Sequence, residues 1–166
     1  GGGITALHTY YNTLLVFREN AIDVVTGSYP NFQLTQVSRN IGTTAANTIT
    51  TIPELGVLFL SHDGVYIFSG GGAGVYGGAV AQIQKISNPI YRTIKSLNKA
   101  VLSRATASYS TKFREWHCYF AQEGSEKPNI GIVYHTDKKG WSLRKDTPVG
   151  CLTSDRAGNL IFGHNT

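Results

Sequence analysis

Short runs rich in β-branched and aromatic residues alternate with polar or glycine-bearing turns along most of the chain. That is the pattern of β-strands joined by tight hairpins. The stretch Leu14-Leu-Val-Phe-Arg-Glu-Asn-Ala-Ile-Asp-Val-Val-Thr-Gly27 recurs in altered form as Val57-Leu-Phe-Leu-Ser-His-Asp-Gly-Val-Tyr-Ile-Phe-Ser-Gly70. Each is an apolar run, a short polar turn, a second β-rich run and a closing glycine. One hairpin is written twice, and self-similarity of this kind constrains the fold more than any single residue does.

Extending the comparison outward gives four strands per unit. The first unit predicts strands over residues 4–9, 13–18, 21–26 and 32–38, and the second over 48–52, 57–61, 65–69 and 79–86. A third, less similar unit predicts 104–110, 115–121, 129–135 and 140–144, and a fourth begins with 150–154 and 159–162. A repeat of about 45 residues with four antiparallel strands suits a β-propeller blade, whose small sheet buries its faces only against neighbouring sheets. The expected fold class is therefore all-β, with about three and a half blade-like meanders. Such a set does not close a ring, so residues 1–166 are expected to be a partial propeller region, a segment of a longer chain, with edges that other chains must cover.

The wider spacing between the second and third units holds the one expected helix. Ser87-Asn88-Pro89 offers a capping residue followed by proline at a first helical position, and Ile90, Ile94 and Leu97 share a helical face. Asn98 then supplies a stop, which sets the helix at residues 89–98.

Composition supports this architecture. The 166 residues are 41% hydrophobic, with nineteen Gly, nine Tyr, seven Phe and no Met, a turn-rich β composition rather than that of a helical bundle. The length permits a sizeable core. No apolar run reaches the length of a membrane span, and the first residues lack the basic and apolar segments of a secretory signal.

The residues that could carry chemistry are few. Cys118 and Cys151 lie in strand patterns without a CxxC partner and are expected to be free, packed thiols. His8, His62, His117, His135 and His164 never form the close pairs that zinc favours, so no metal site is expected. Gly72, Gly74 and Gly77 spell a formal GxGxxG, but no helix pattern or acidic residue follows, so an inter-strand loop is expected and no nucleotide or other cofactor. Ser61-His62-Asp63 sets three triad residue types side by side, whereas a working triad converges from separated positions. Asp63-Gly64 reads as a hairpin turn, as do the segments at 124–129 and 136–140. No catalytic residue is identified, and an enzyme is not expected.

The strongest charge feature is an acid-free interval between Asp63 and Glu115. It contains Lys85, Arg92, Lys95, Lys99, Arg104, Lys112 and Arg114, a formal +7 in a chain whose total is +5. Such a cluster suits phosphates, an acidic protein surface or plain solvation. Tyr91 and Tyr109 among these charges do not make a base-stacking platform, and no sequence-specific nucleic-acid motif occurs.

Taken in order, the hairpin at 14–27, Ile41-Gly-Thr43, Asn47-Thr-Ile49, the run at 58–68, Ile86-Ser-Asn-Pro-Ile90 and Phe113-Arg-Glu-Trp-His-Cys-Tyr119 resemble the propeller region of short-tailed bacteriophage tail nozzle proteins, the tail tubular protein B family. The resemblance spans nearly the whole chain. It implies a virion structural protein, made in the host cytoplasm, six copies of which form the distal tail tube through which the genome leaves. It further implies contacts with other phage tail proteins and transient passage of DNA without sequence-specific binding. The family pattern contains no catalytic residue. In such a conduit the basic cluster is expected to face a neighbouring subunit or solvent, because tight phosphate contacts would hinder sliding. The alternative expectation is a soluble propeller-like module that binds a protein or a glycan.

Overall fold

A computed structural model describes residues 2–70 and 81–164. Among the described residues most of the regular structure is antiparallel β, in three four-stranded sheets and one two-stranded sheet. Every sheet follows sequence order, so each strand pairs with the next through a local connection. The chain divides into two compact units, one of residues 1–61 and 65–86, the other of residues 62–64 and 87–166.

The first unit contains two meanders. One is formed by β1 (Ile4–Tyr10), β2 (Thr13–Arg18), β3 (Ile22–Ser28) and β4 (Asn31–Ser38). The other is formed by β5 (Thr50–Ile52), β6 (Gly56–Ser61), β7 (Gly64–Ser69) and β8 (Gln82–Lys85). In β2 and β3, Leu15 pairs with Val24 and Phe17 with Ile22, which places four apolar side chains on one face. That face packs with Val57 and Phe59 of β6 and Tyr66 and Phe68 of β7 in a single core. Phe59 sits edge-on to Phe17 at 5.2 Å between ring centres and stacks on Tyr66 at 5.9 Å. Burying each such side chain stabilises the fold by roughly 1.5–3 kcal/mol.

The opposite face of the first sheet carries a partly exposed apolar stripe. Leu7 pairs with Val16, and Leu14, Val25 and Leu34 follow one another across β2, β3 and β4. Leu7 is 59% exposed, Leu34 64% and Phe32 61%. On the same face Asp23, opposite Val16 and buried, forms an ion pair with Arg18 at 2.8 Å. The segment after β4 returns onto the β2–β3 turn, where Thr43 N–H donates to the Arg18 carbonyl at 2.9 Å. A Cβ on Gly42 would stand 2.1 Å from that same carbonyl oxygen, so only glycine permits the approach.

The second unit contains β9 (Thr106–Ser110), β10 (Glu115–Phe120), β11 (Ile130–His135) and β12 (Gly140–Lys145), with the hairpin β13 (Val149–Ser154) and β14 (Leu160–His164). Trp116, Cys118, Phe120 and Ile132 fall on one face and are completely or almost completely buried. The hairpin packs beside β9, and Ser110 Oγ donates to the Gly158 carbonyl at 2.5 Å.

The expected strands are found in all four repeats, with corrections at several ends; the strand expected at 79–86 is β8 over Gln82–Lys85, and residues 79 and 80 lie outside the described residues. The strand expected from residue 48 starts at Thr50, because Thr48 lies in a 3-10 turn (Ala46–Thr48). Its hydroxyl donates to Ala45 O and accepts from Leu60 N, while the Thr43 hydroxyl donates to Leu60 O. Two threonine side chains thus satisfy backbone groups of β6 beyond the end of its ladder with β5. Arg104, expected to open a strand, ends a 3-10 segment (Lys99–Arg104) that Asn98 caps by accepting from Ala100 N. Asn98 therefore starts this segment rather than stopping the preceding one.

The helix expected at 89–98 is shorter: a 3-10 turn (Asn88–Ile90) runs into α1 (Tyr91–Lys95). Ile94 and Leu97 are buried as expected. The His62–Asp63 pair forms the turn between β6 and β7, and Gly64 already belongs to β7, so the turn lies one residue earlier than Asp63-Gly64. Cys118 is free and buried, but Cys151 is free and exposed, because the short β13–β14 sheet leaves it uncovered. The glycine-rich motif at 72, 74 and 77 lies outside the described residues. No described helix is long and apolar enough to cross a membrane.

Candidate functional site

The polar face of the third sheet is the most chemically organised surface among the described residues. Strand alternation puts Glu115, His117 and Tyr119 of β10 on the side opposite Trp116 and Cys118. Pairing with β11 brings His135 directly opposite Glu115, and pairing with β12 adds Ser142 opposite Val133 and Arg144 opposite Gly131.

Glu115 is the hub. Its Oε2 accepts from His117 Nε2 at 2.9 Å, and its Oε1 lies 3.2 Å from His135 Nδ1. The other nitrogen of His135, Nε2, lies 2.6 Å from Ser142 Oγ. With the His135 proton on Nδ1, the Ser142 hydroxyl donates to Nε2 and the ring donates to the carboxylate, so every polar contact is matched. His117 is buried, and that burial holds its pKa below the ordinary 6.5. The hydrogen bond and charge of Glu115 oppose the shift, while the charges of Arg144 and His135 reinforce it. Tyr119 stacks on His117 with ring centres 6.5 Å apart, and burial raises its phenol pKa.

The seven basic residues of the acid-free interval do not occupy one element. Lys85 lies in β8 of the first unit, with its Nζ 5.7 Å from the Tyr66 ring centre. Arg92 and Lys95 are on α1, Lys99 and Arg104 in the 3-10 segment after it, and Lys112 and Arg114 in the β9–β10 turn. Those six are exposed. Arg104 donates to the Glu126 carbonyl at 2.8 Å, Lys112 to Asn159 Oδ1 at 3.0 Å, and Lys95 lies over the Tyr91 ring at 5.1 Å.

Elsewhere the polar groups serve the fold. A cleft beside the β2–β3 turn is lined by Arg18, Gln36 and Arg39, but Arg18 is committed to Asp23 and Arg39 to Gln36 at 2.9 Å. Burial pushes the Cys118 thiol far up, which keeps it protonated and inert. No group of three or more His, Cys, Asp or Glu suited to a metal ion occurs among the described residues.

Sequence reading missed the Glu115, His135 and Ser142 group. These residues are 20 and 7 positions apart and meet only through the register of three strands. The alternation of polar residues along β10 and β12 was the available signal, and it needed the pairing of both strands with β11 before it pointed anywhere.

No protein-family model and no curated protein matches the chain. Among solved structures, a 2S albumin seed protein from Dolichos matches at 13% identity and a TM-score of 0.41, covering 96% of this chain and 91% of that one. A likeness of that size carries no argument about fold or function.

Proposed function

We propose that this chain is a structural region of a phage tail nozzle, its sheets serving as successive propeller blades in the wall of a tube that copies of the chain complete. The observation that carries this reading is the open side of the first sheet. Strand β4 is an edge strand, exposed on both faces over residues 31–36, without a charged residue from Asn31 to Ser38. Beside it lies the apolar stripe of Leu7, Leu14, Val25, Leu34 and Phe32. A neutral edge next to apolar surface is an association site, because native sheets otherwise protect their edges with charge, proline or a covering element. A second copy of the chain, or a neighbouring protein of the tail, supplies that cover. The role places the chain in the virion, with DNA passing transiently through the assembly and no sequence read.

Sedimentation velocity tests this reading. The chain is expected to self-associate in a concentration-dependent way, and Phe32→Lys with Leu34→Lys to return it to monomers without unfolding it. A monodisperse monomer that the two substitutions leave unchanged overturns the proposal and favours the soluble binding module.

A further inference from the structure

We propose that Ser142, His135 and Glu115 form a nucleophilic acyl-transfer site that hydrolyses small carboxylic esters, an activity beyond the assembly role. The three residues come from three adjacent strands and stand in the order hydroxyl, imidazole, carboxylate. Ser142 Oγ lies 2.6 Å from His135 Nε2, and His135 Nδ1 lies 3.2 Å from Glu115 Oε1. A serine nucleophile needs a base within hydrogen-bond reach and a third group that orients the base; such a set is recognised by geometry rather than by sequence order. Here the orienting carboxylate is itself anchored, since His117 Nε2 holds its second oxygen at 2.9 Å. All four residues sit on paired strands, the rigid setting that precise placement requires.

Access and charge fit the same chemistry. Ser142 is exposed, so an acyl carbon reaches Oγ without displacing protein. Arg144 follows two residues later on the same face of β12 and is also exposed. Its guanidinium is the cation available to negative charge developing on the substrate oxygen. The exposed β12 side of this face suits a compact acyl group, and Arg144 favours an ester that carries a negative charge.

The reaction balances without a metal or redox partner. Ser142 Oγ bonds to the carbonyl carbon as His135 Nε2 takes the hydroxyl proton. The tetrahedral intermediate then breaks its bond to the alcohol oxygen, which receives that proton from His135. Water attacks the acyl-serine by the same route, releasing the carboxylic acid and restoring the serine. Ser142 and His135 are the catalytic residues, and Glu115 is the positioning residue.

The folded chain is treated with a biotinylated fluorophosphonate and, separately, with p-nitrophenyl acetate. The expected result is covalent labelling that peptide mapping assigns to Ser142, absent after heat unfolding and absent in Ser142→Ala, whose site is exposed enough to leave the fold intact. His135→Ala should lower ester turnover by about 100-fold or more, with partial rescue by added imidazole. Glu115→Gln should slow labelling at unchanged circular dichroism, and Glu115→Asp should recover part of the rate. Labelling no greater than that of the unfolded chain, or labelling that persists in Ser142→Ala, overturns the proposal. Both readouts act on the single chain, so failure here leaves the assembly reading standing, and failure of assembly leaves this one standing.

Discussion

The Tyr119 ring lies across Gly131, so close that a Cβ on Gly131 would stand 2.4 Å from Tyr119 Cε1. The two residues pair directly across β10 and β11. Tyr119 is only 6% exposed and its ring is stacked on His117, so it has little room to retreat. The glycine is required by packing rather than by its backbone angles. Gly131→Ala is expected to destabilise the fold by about 1–3 kcal/mol through overpacking, measured as a lower urea midpoint. Tyr119→Leu in the same chain should return part of that loss.

The first unit makes the opposite test, removal rather than addition. Phe59 is fully buried between Phe17 and Tyr66. Phe59→Ala should cost about 3–5 kcal/mol, because the lost transfer energy is joined by the cavity left between two rings. Phe32→Ala, at an exposed site, should change stability by less than about 0.5 kcal/mol. Equal effects in chemical denaturation would contradict the assignment of one residue to the core and the other to an interaction surface.

The contrast between those two phenylalanines shows what was legible in sequence. Strands were readable because Leu15, Phe17, Ile22 and Val24 combine β-branched or aromatic character with alternation around a short polar turn, a signal local to a dozen residues. The departures came from side chains acting at a distance. Thr48 has good strand propensity, yet its hydroxyl serves Ala45 and Leu60 and leaves the residue in a 3-10 turn. Asn98 resembles a stop but caps the next segment. The Glu115, His135 and Ser142 group depends on register, and a slip of one residue at the Thr136–Lys139 turn would send its members to opposite faces.

Two histidines, His8 half-buried and His117 buried, set the expected acid response. Burial lowers the pKa of His8 and of His117 below the ordinary 6.5. For His117, Glu115 pulls upward while Arg144 and His135 push further down, and burial remains the largest cause. The unfolded chain therefore binds protons near 6.5 that the folded chain accepts only at lower pH. Stability should be full above about pH 6.5 and decline as pH falls below it. Urea midpoints at about pH 7.5 and about pH 5.5 test the sign. His117→Gln retains an N–H donor for Glu115 and should flatten the decline; a steeper decline in that variant would refute the account.

The exposed cations on α1 discriminate between protein and DNA as the partner of the basic interval. Arg92 and Lys95 are both exposed, and the contact of Lys95 with the Tyr91 ring at 5.1 Å is a surface one. Neither holds the fold together, so Arg92→Glu with Lys95→Glu should shift stability by no more than about 1 kcal/mol. If these residues face a neighbouring subunit, the double reversal should disturb assembly while weak binding to DNA stays unchanged. If they instead grip phosphates, filter binding should show DNA retention that is independent of sequence, weakens in the variant, and falls with salt by about 0.9 log units per contact for each tenfold increase. The first outcome is the expected one. Arg104 and Lys112 are already committed to Glu126 and Asn159, and Lys85 lies over the Tyr66 ring, so these three cations are already engaged within the chain. Strong salt-dependent retention lost on reversal, with assembly intact, would move this helix from an interface between proteins to the wall of a DNA path.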